Sequence, residues 1–381
     1  AGNRSVTLET VVGDMRYEQP ATGDFSGWGR KCELVIQAAR VAGDLEDFPV
    51  LLTEDNLPAE MLDKDGFYAA LGDGGDIRFS ADADGQERLA AEIVSFQQNN
   101  DPAQATAQIW VRVPQVAAAQ NTSFWVWYKK NDVTQPAAGE AYGAHAVWQD
   151  YVLVLHLEED PAGSGVQFED MSGNGNDAAV VATSPQQGGG TVGQALSFQA
   201  NDDLIRVPDD STLDLTAQGT LEAWLWKKEN LNFEGLIHKG DLKDWSDEAY
   251  SLQLWAREKF NLYLAAAHGG HNLISNTALN TETWYHLAGT WNRQQMVLYL
   301  NGEVDASRSH STRVRQTSGG VNIGAQLLED YSASYKNFPL SGILDEIRIS
   351  RIARSAAWIQ TCYNNQTAPE TFVVAATPET P

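Results

Sequence analysis

Along most of this chain apolar and polar residues alternate with a period of two or bunch into runs of four to six, and a helical spacing shows only near the end. Residues 1–24 mix Gly, Pro and polar residues with one short alternation at 6–12, and read as an N-terminal arm. From residue 25 the pattern changes. Runs at 32–36 and 48–52 are apolar and bounded by Gly and Asp, 77–80 follows an Asp/Gly cluster, 89–96 and 108–114 alternate, and 124–128 is densely aromatic. Short strands at such intervals, with no helical period among them, predict a small β-sandwich over residues 25–140, closed by the Pro/Ala/Gly-rich stretch 135–143.

A second series opens at 152–157, passes a Gly/Asn-rich loop at 170–177, and continues at 194–198, 204–207, 220–227, 235–239, 250–254, 260–266, 284–291, 296–300, 321–324 and 340–349. Several of these segments alternate, so one face of each is buried and the other wet. Asn301-Gly302 between two strand patterns is the signal of a tight type I′ hairpin. The spacing predicts a larger two-sheet sandwich over residues 145–365. Ser355 before Ala356-Ala357-Trp358-Ile359 predicts one short C-terminal helix, and residues 366–381, rich in Thr, Pro, Ala and Glu, read as a linker tail leading to a further segment. The expected class is all-β: two consecutive β-sandwich domains and a short C-terminal helix.

Length and composition agree. At 381 residues, with 43% hydrophobic residues and twelve each of Trp, Tyr and Phe, the chain has apolar mass for two cores without disulfides or metals. A formal net charge of −25 without a basic run excludes nucleic acid as a partner and makes anionic membrane surfaces poor ones. The same carboxylates serve solubility or hard cations such as Ca²⁺. Cys32 and Cys362, far apart and beside apolar segments, read as two free buried thiols, with one long-range bridge as the alternative. No apolar run is long enough to span a bilayer, and the start at Ala1 reads as a processed or trimmed ectodomain.

Candidate chemistry concentrates in the second sandwich. On 220–227, Leu221, Ala223 and Leu225 share one face while Glu222, Trp224 and Trp226 share the other, with Trp224 expected in the core. Trp226 and Trp255, and Trp245 in an acidic loop, are candidate surface platforms, because an indole stacks on the apolar face of a sugar ring or meets a protein partner. His238 is ambiguous and is kept with these tryptophans as a candidate ligand-binding residue, His156 and His286 read as sheet residues, and His268-Gly269-Gly270-His271 as an exposed hairpin tip. Asp170 and Asn174 offer oxygens from a Gly-rich turn, and Asp345 opens an apolar strand where a bare carboxylate is costly. A structural Ca²⁺ pinning the loop to that strand would relieve the cost; capping of backbone amides is the alternative. No Glu-x-Asp-x-x-Glu strand, Gly-x-Ser-x-Gly elbow or phosphate loop is present, which leaves a binding protein ahead of an enzyme.

The motifs Gly193-Gln194-Ala195-Leu196-Ser197-Phe198, Leu221-Glu222-Ala223-Trp224, Thr283-Trp284-Tyr285-His286-Leu287, Leu298-Tyr299-Leu300-Asn301-Gly302 and Gly342-Ile343-Leu344-Asp345-Glu346-Ile347-Arg348-Ile349 resemble the concanavalin-A-like LamG family of bacterial surface proteins, in order, over residues 152–365. The resemblance implies a jelly roll and points to Asp345 and the 170–177 loop for Ca²⁺. Gly75-Asp76-Ile77-Arg78-Phe79 and Trp110-Val111-Arg112-Val113-Pro114 resemble a domain of unknown function that precedes LamG domains. This pairing implies an extracytoplasmic module for a glycan or protein ligand. It also occurs as the periplasmic part of MotA/TolQ/ExbB-type proton-channel proteins, which favours a periplasmic ectodomain of an inner-membrane complex reached through the chain beyond residue 381. A cell-surface adhesin or carbohydrate-binding protein is the alternative, and a glycoside hydrolase the weaker one.

Overall fold

The computed structural model describes residues 25–181, 183–199, 203–240, 247–326 and 338–381; the expected N-terminal arm lies outside them. The first sandwich faces a five-stranded sheet, in the order Val373–Ala375, Arg30–Ile36, Thr122–Tyr128, Arg78–Ser80 and Arg88–Leu89, against a three-stranded one, Leu45–Thr53, Thr106–Val116 and Ala91–Gln97. Alternation decides the facing: in Arg30–Ile36 the residues Cys32, Leu34 and Ile36 are wholly buried and pair with Val126, Phe124 and Thr122. They pack on Phe48, Val50, Leu52, Ile109 and Val111 of the opposite sheet.

The second sandwich sets a seven-stranded sheet against an eight-stranded one. In the larger sheet the strand Ser341–Ser350 is central and pairs with Gly219–Lys227, Gln194–Gln199 and Tyr151–Leu155. The tight hairpin forms as expected, Asn301 and Gly302 both taking positive φ (51° and 83°) between Gln295–Leu300 and Glu303–Ser309. A bulge breaks the register between Trp224↔Asp345 and Glu222↔Arg348. The extra residue is accommodated beside Glu346, at φ 52°, and two consecutive acidic side chains become buried.

Two expectations change here. Trp224 is buried, yet not between the sheets. Leu221, Ala223 and Leu225 fill that core, whereas Trp224 lies on the outer face beneath the helix Ala356–Thr367, donating Nε1–H to Gln366 at 2.6 Å and stacking on Tyr363. The helix starts at Ser355, whose hydroxyl accepts the Trp358 amide, and is longer than its spacing suggested. The stretch read as a linker is folded: Pro369–Phe372 is a short helix and Val373–Ala375 an edge strand on Arg30–Ile36, with Glu379 3.3 Å from Lys31. Trp358, Ile359, Cys362, Phe372 and Val373 thus join the core of the first sandwich, Trp358 edge-on to Phe48 at 5.1 Å. Both cysteines are free and buried, and burial pushes Cys32 up to about 12.

A buried polar chain locks the sandwiches together. Glu92 accepts Trp148 Nε1–H at 2.6 Å and lies 3.2 Å from His156 Nε2; His156 Nδ1 meets Glu346 Oε1 at 2.8 Å, and Glu346 Oε2 meets Arg348 at 2.6 Å. Arg348 lies over the Trp110 and Trp148 rings. Burial alone would lower the His156 pKa, but the charges and hydrogen bonds of Glu346 and Glu92 hold it well above the usual range. Burial likewise opposes ionisation of Glu346, and His156 and Arg348 overcome it, holding that carboxyl below its usual value.

Candidate functional site

The outer face of the seven-stranded sheet carries an unbroken row of hydrogen-bonding side chains. Cross-strand partners share a face, so the register Arg206↔Asn322↔His238↔Ser251↔Tyr263↔Asn272 aligns six residues from six strands on one surface. Leu252, Leu254, Leu262 and Leu264 alternate with them and point into the core. The neighbouring row holds Gln253 opposite Asn261, and the next sets Phe233 opposite Trp255.

At one end of this face a pocket of about 210 Å³ opens, lined by Phe233, Glu248, Gln253, Trp255, Tyr263, Asn272, Gln326 and Phe338. Its walls are aromatic: Phe233 is edge-on to Trp255 at 4.8 Å and to Phe338 at 5.3 Å, and is 37% exposed. Its floor is polar, with Gln326 donating to Gln253 and Asn261 donating to Asn272 at 2.8 Å. Burial, then the charge of Glu248, raises the pKa of Tyr263, so its hydroxyl stays protonated as a donor. His238 Nε2 stands 3.5 Å from Glu248 Oε1, which links the histidine to the pocket rim. Among the described residues, Ser251 Oγ, Asn261 Oδ1 and both His238 ring nitrogens have no hydrogen-bond partner. These atoms lie fully buried behind the pocket; within it, the amides of Gln253, Asn272 and Gln326 and the Tyr263 hydroxyl beside aromatic walls suit a ligand that is polar at its edges and apolar on its faces.

Of the four candidate ligand residues Trp255 alone lines this pocket; His238 is fully buried behind its rim and reaches it only through Glu248. Trp226 stands on the other sheet, half-buried between Trp284 and Ile343, and Trp245 lies outside the described residues. The alternation Ser251, Gln253, Trp255 was open to reading in the sequence. Phe233, Phe338, Tyr263, Asn272 and Gln326 join it only through cross-strand register and loop return.

The residues expected to hold Ca²⁺ do not fit the ion. Both Asp170 oxygens are taken by donors: Oδ1 by the Val154 and Ser172 amides at 3.0 Å, Oδ2 by Ser172 Oγ at 2.7 Å and the Asn176 amide at 3.0 Å. Asn174 donates to Tyr151 O at 3.1 Å, so the loop is strapped to Tyr151–Leu155 rather than to the last strand. Asp345 Oδ2 caps the Thr191 and Val192 amides at 2.8 and 2.9 Å, and burial, then the Glu346 charge, holds its carboxyl well above the usual range. N–H groups aimed at a carboxylate repel a cation. Among the described residues no group of three or more His, Cys, Asp or Glu is gathered for a metal.

Residues 199–360 match the family model described as the concanavalin A-like lectin/glucanases superfamily, of laminin-G type, and residues 73–177 match a domain of unknown function, DUF2341. The chain carries a concanavalin A-like LamG domain preceded by a DUF2341 domain. The DUF2341 match runs past the first sandwich into Tyr151–Leu155, a strand of the LamG sheet. No curated protein matches the sequence. Solved structures similar to the chain include the binding domain of Paraclostridial Mosquitocidal Protein 1 (16% identity, TM-score 0.44, 56% of this chain and 52% of that one). Domain 4 of AbnA, an extracellular arabinanase from Geobacillus stearothermophilus in complex with arabinotriose, gives 16%, 0.43, 55% and 97%. The botulinum neurotoxin serotype D ligand binding domain in complex with N-acetylneuraminic acid gives 18%, 0.42, 59% and 53%. The chain spans about half the length of the toxin chains, and likenesses this distant carry no argument about function.

Proposed function

We propose that this chain is a non-enzymatic, extracytoplasmic binding module whose LamG domain holds a glycan on the outer face of its seven-stranded sheet. The observation that carries the reading is the pocket in which Trp255, Phe233 and Phe338 form walls around the side-chain amides of Gln253, Asn272 and Gln326. Its volume lies below that of drug-sized sites, which matches the grip on one sugar ring at a chain end rather than burial of a whole oligomer. Glu248 is the one carboxylate among the described lining residues, where glycoside hydrolysis works with two. The MotA/TolQ/ExbB-type periplasmic reading keeps only the order of the two domains in its favour, since the tail that suggested a linker is part of the first sandwich.

A glycan array followed by calorimetry tests the proposal. Wild-type chain binds at least one neutral saccharide, Trp255→Ala and Gln253→Ala each weaken it about tenfold or more, as loss of a stacked ring or a buried hydrogen bond does, and Trp226→Ala leaves it unchanged. Binding that survives Trp255→Ala, or an array without hits beside a protein ligand that needs the same face, would overturn the glycan assignment.

A further inference from the structure

We infer that the cleft between the two sandwiches is a second ligand site, for a polyhydroxylated molecule carrying a protonated amine, that is, an amino sugar. The cleft encloses about 530 Å³ and is assembled from three parts of the chain: one end of the three-stranded sheet, the segment 191–194 with Glu158 of the LamG domain, and the C-terminal turn that bears Glu370. Four carboxylates line it, from Glu54, Asp55, Glu158 and Glu370, and no described lining residue is basic or aromatic. The rest are largely hydroxyls and side-chain amides.

Acidity alone would mean only a solvated surface, and Gln108 supplies the second observation. It is 2% exposed, and its Nε2 donates to Glu346 Oε1 at 3.1 Å, which fixes the orientation of the amide. Its Oε1 thereby lies against the Gly193 backbone in the wall of the cleft with no hydrogen-bond partner among the described residues, and Thr191 Oγ1, of the same wall, has none either. A buried acceptor left unpaired is destabilising, so this wall is built to meet a donor. Gly193, at φ 65°, lies where a β-carbon would collide with both Glu158 Oε1 and Gln108 Oε1, so two acceptor oxygens converge over one backbone position kept bare. Convergent acceptors, excess negative charge and flanking hydroxyls are met by an ammonium group on a hydroxyl-rich ring. The aromatic pocket on the seven-stranded sheet holds the complementary set, apolar walls around amides, so the two sites take different sugars.

Calorimetry of the full chain at pH 6 and low salt, with a glucosamine hexamer and an N-acetylglucosamine hexamer, tests this. The amine-bearing oligomer binds at least tenfold more tightly than the acetylated one, and Glu158→Gln with Glu370→Gln weakens it at least tenfold while the thermal midpoint stays within a few degrees. Raising NaCl weakens wild-type binding progressively, a readout independent of any variant's folding. Trp255→Ala leaves it unchanged, which separates this site from the sheet-face pocket. Absence of binding, equal binding of both oligomers, insensitivity to salt or to the carboxylate variant, or release of shorter oligomers would each overturn the inference.

Discussion

At the scale of single residues, the carboxylates that the fold buries set the pH response. Glu234 is wholly buried between the sheets, its Oε1 accepting the Ser341 amide at 2.9 Å, and burial pushes its pKa up to about 7. A carboxyl raised in the folded state lends stability fully present below its unfolded value of 4.5 and lost as pH rises through about 7. Glu234→Gln keeps the amide's acceptor and removes the charge, so at pH 8 it stabilises the chain by something on the order of 2–3 kcal/mol. At pH 4 it is neutral. Denaturant melts of the two proteins at both pH values check this, and equal midpoints at pH 8 would refute it. Legibility differs sharply at this scale: Trp255 stood out because an aromatic at a strand end is conspicuous, whereas Gln108 and Glu234 look like any polar residue until the neighbours that bury them are known.

At the scale of elements, the C-terminal segment is the part that local composition misrepresents. Residues 366–381 are rich in Thr, Pro, Ala and Glu, yet Phe372 and Val373 are fully buried, Val373–Ala375 extends the five-stranded sheet, and Asn365 Oδ1 takes the Leu51 amide at 2.8 Å. Deleting residues 368–381 bares the Arg30–Ile36 edge and empties the space of two large side chains, at a cost of about 3–5 kcal/mol for the phenylalanine alone. The expected outcome is a lower thermal midpoint, with faster amide exchange at residues 30–36 than in Gly219–Lys227. Unchanged exchange at residues 30–36 would mean that the tail merely rests on the sheet. The longer strands were predictable, most of them to within a few residues. Ala179–Val180, Gln186–Gly189, Gly270–Ile274 and Val373–Ala375 were missed, the first two because so brief a segment carries too few positions to show a period, Gly270–Ile274 because its His and Gly residues read as a hairpin tip, and the last because its Pro- and Thr-rich surroundings read as a linker.

At the scale of the whole molecule, the Glu92–His156–Glu346–Arg348 chain joins the two domains through buried charges, and the expected consequence is that they unfold as one. Below the ordinary histidine value of 6.5 the contribution of His156 is fully present, and it is lost as pH rises through its raised folded value; that of Glu346 is present above 4.5 and lost as pH falls below it. A single calorimetric transition is expected between these limits, separating into two at strongly alkaline pH. His156→Gln, which leaves buried carboxylates short of a partner, separates it at neutral pH with a loss of about 3–5 kcal/mol. One transition for His156→Gln at every pH would show that apolar packing alone joins the sandwiches. The sequence by itself determined the all-β class, the two sandwiches, the hairpin and which residues of a strand share a face, because a period of two is a property of one strand's own geometry; which face turns inward on Gly219–Lys227 it did not, since the helix Ala356–Thr367 buries the outer one as well. Tertiary structure decided which strands lie side by side, what covers each outer face and where oxygens converge. These depend on contacts such as Asn365 with Leu51 and Gln108 with Glu346, between residues hundreds of positions apart that no local pattern links.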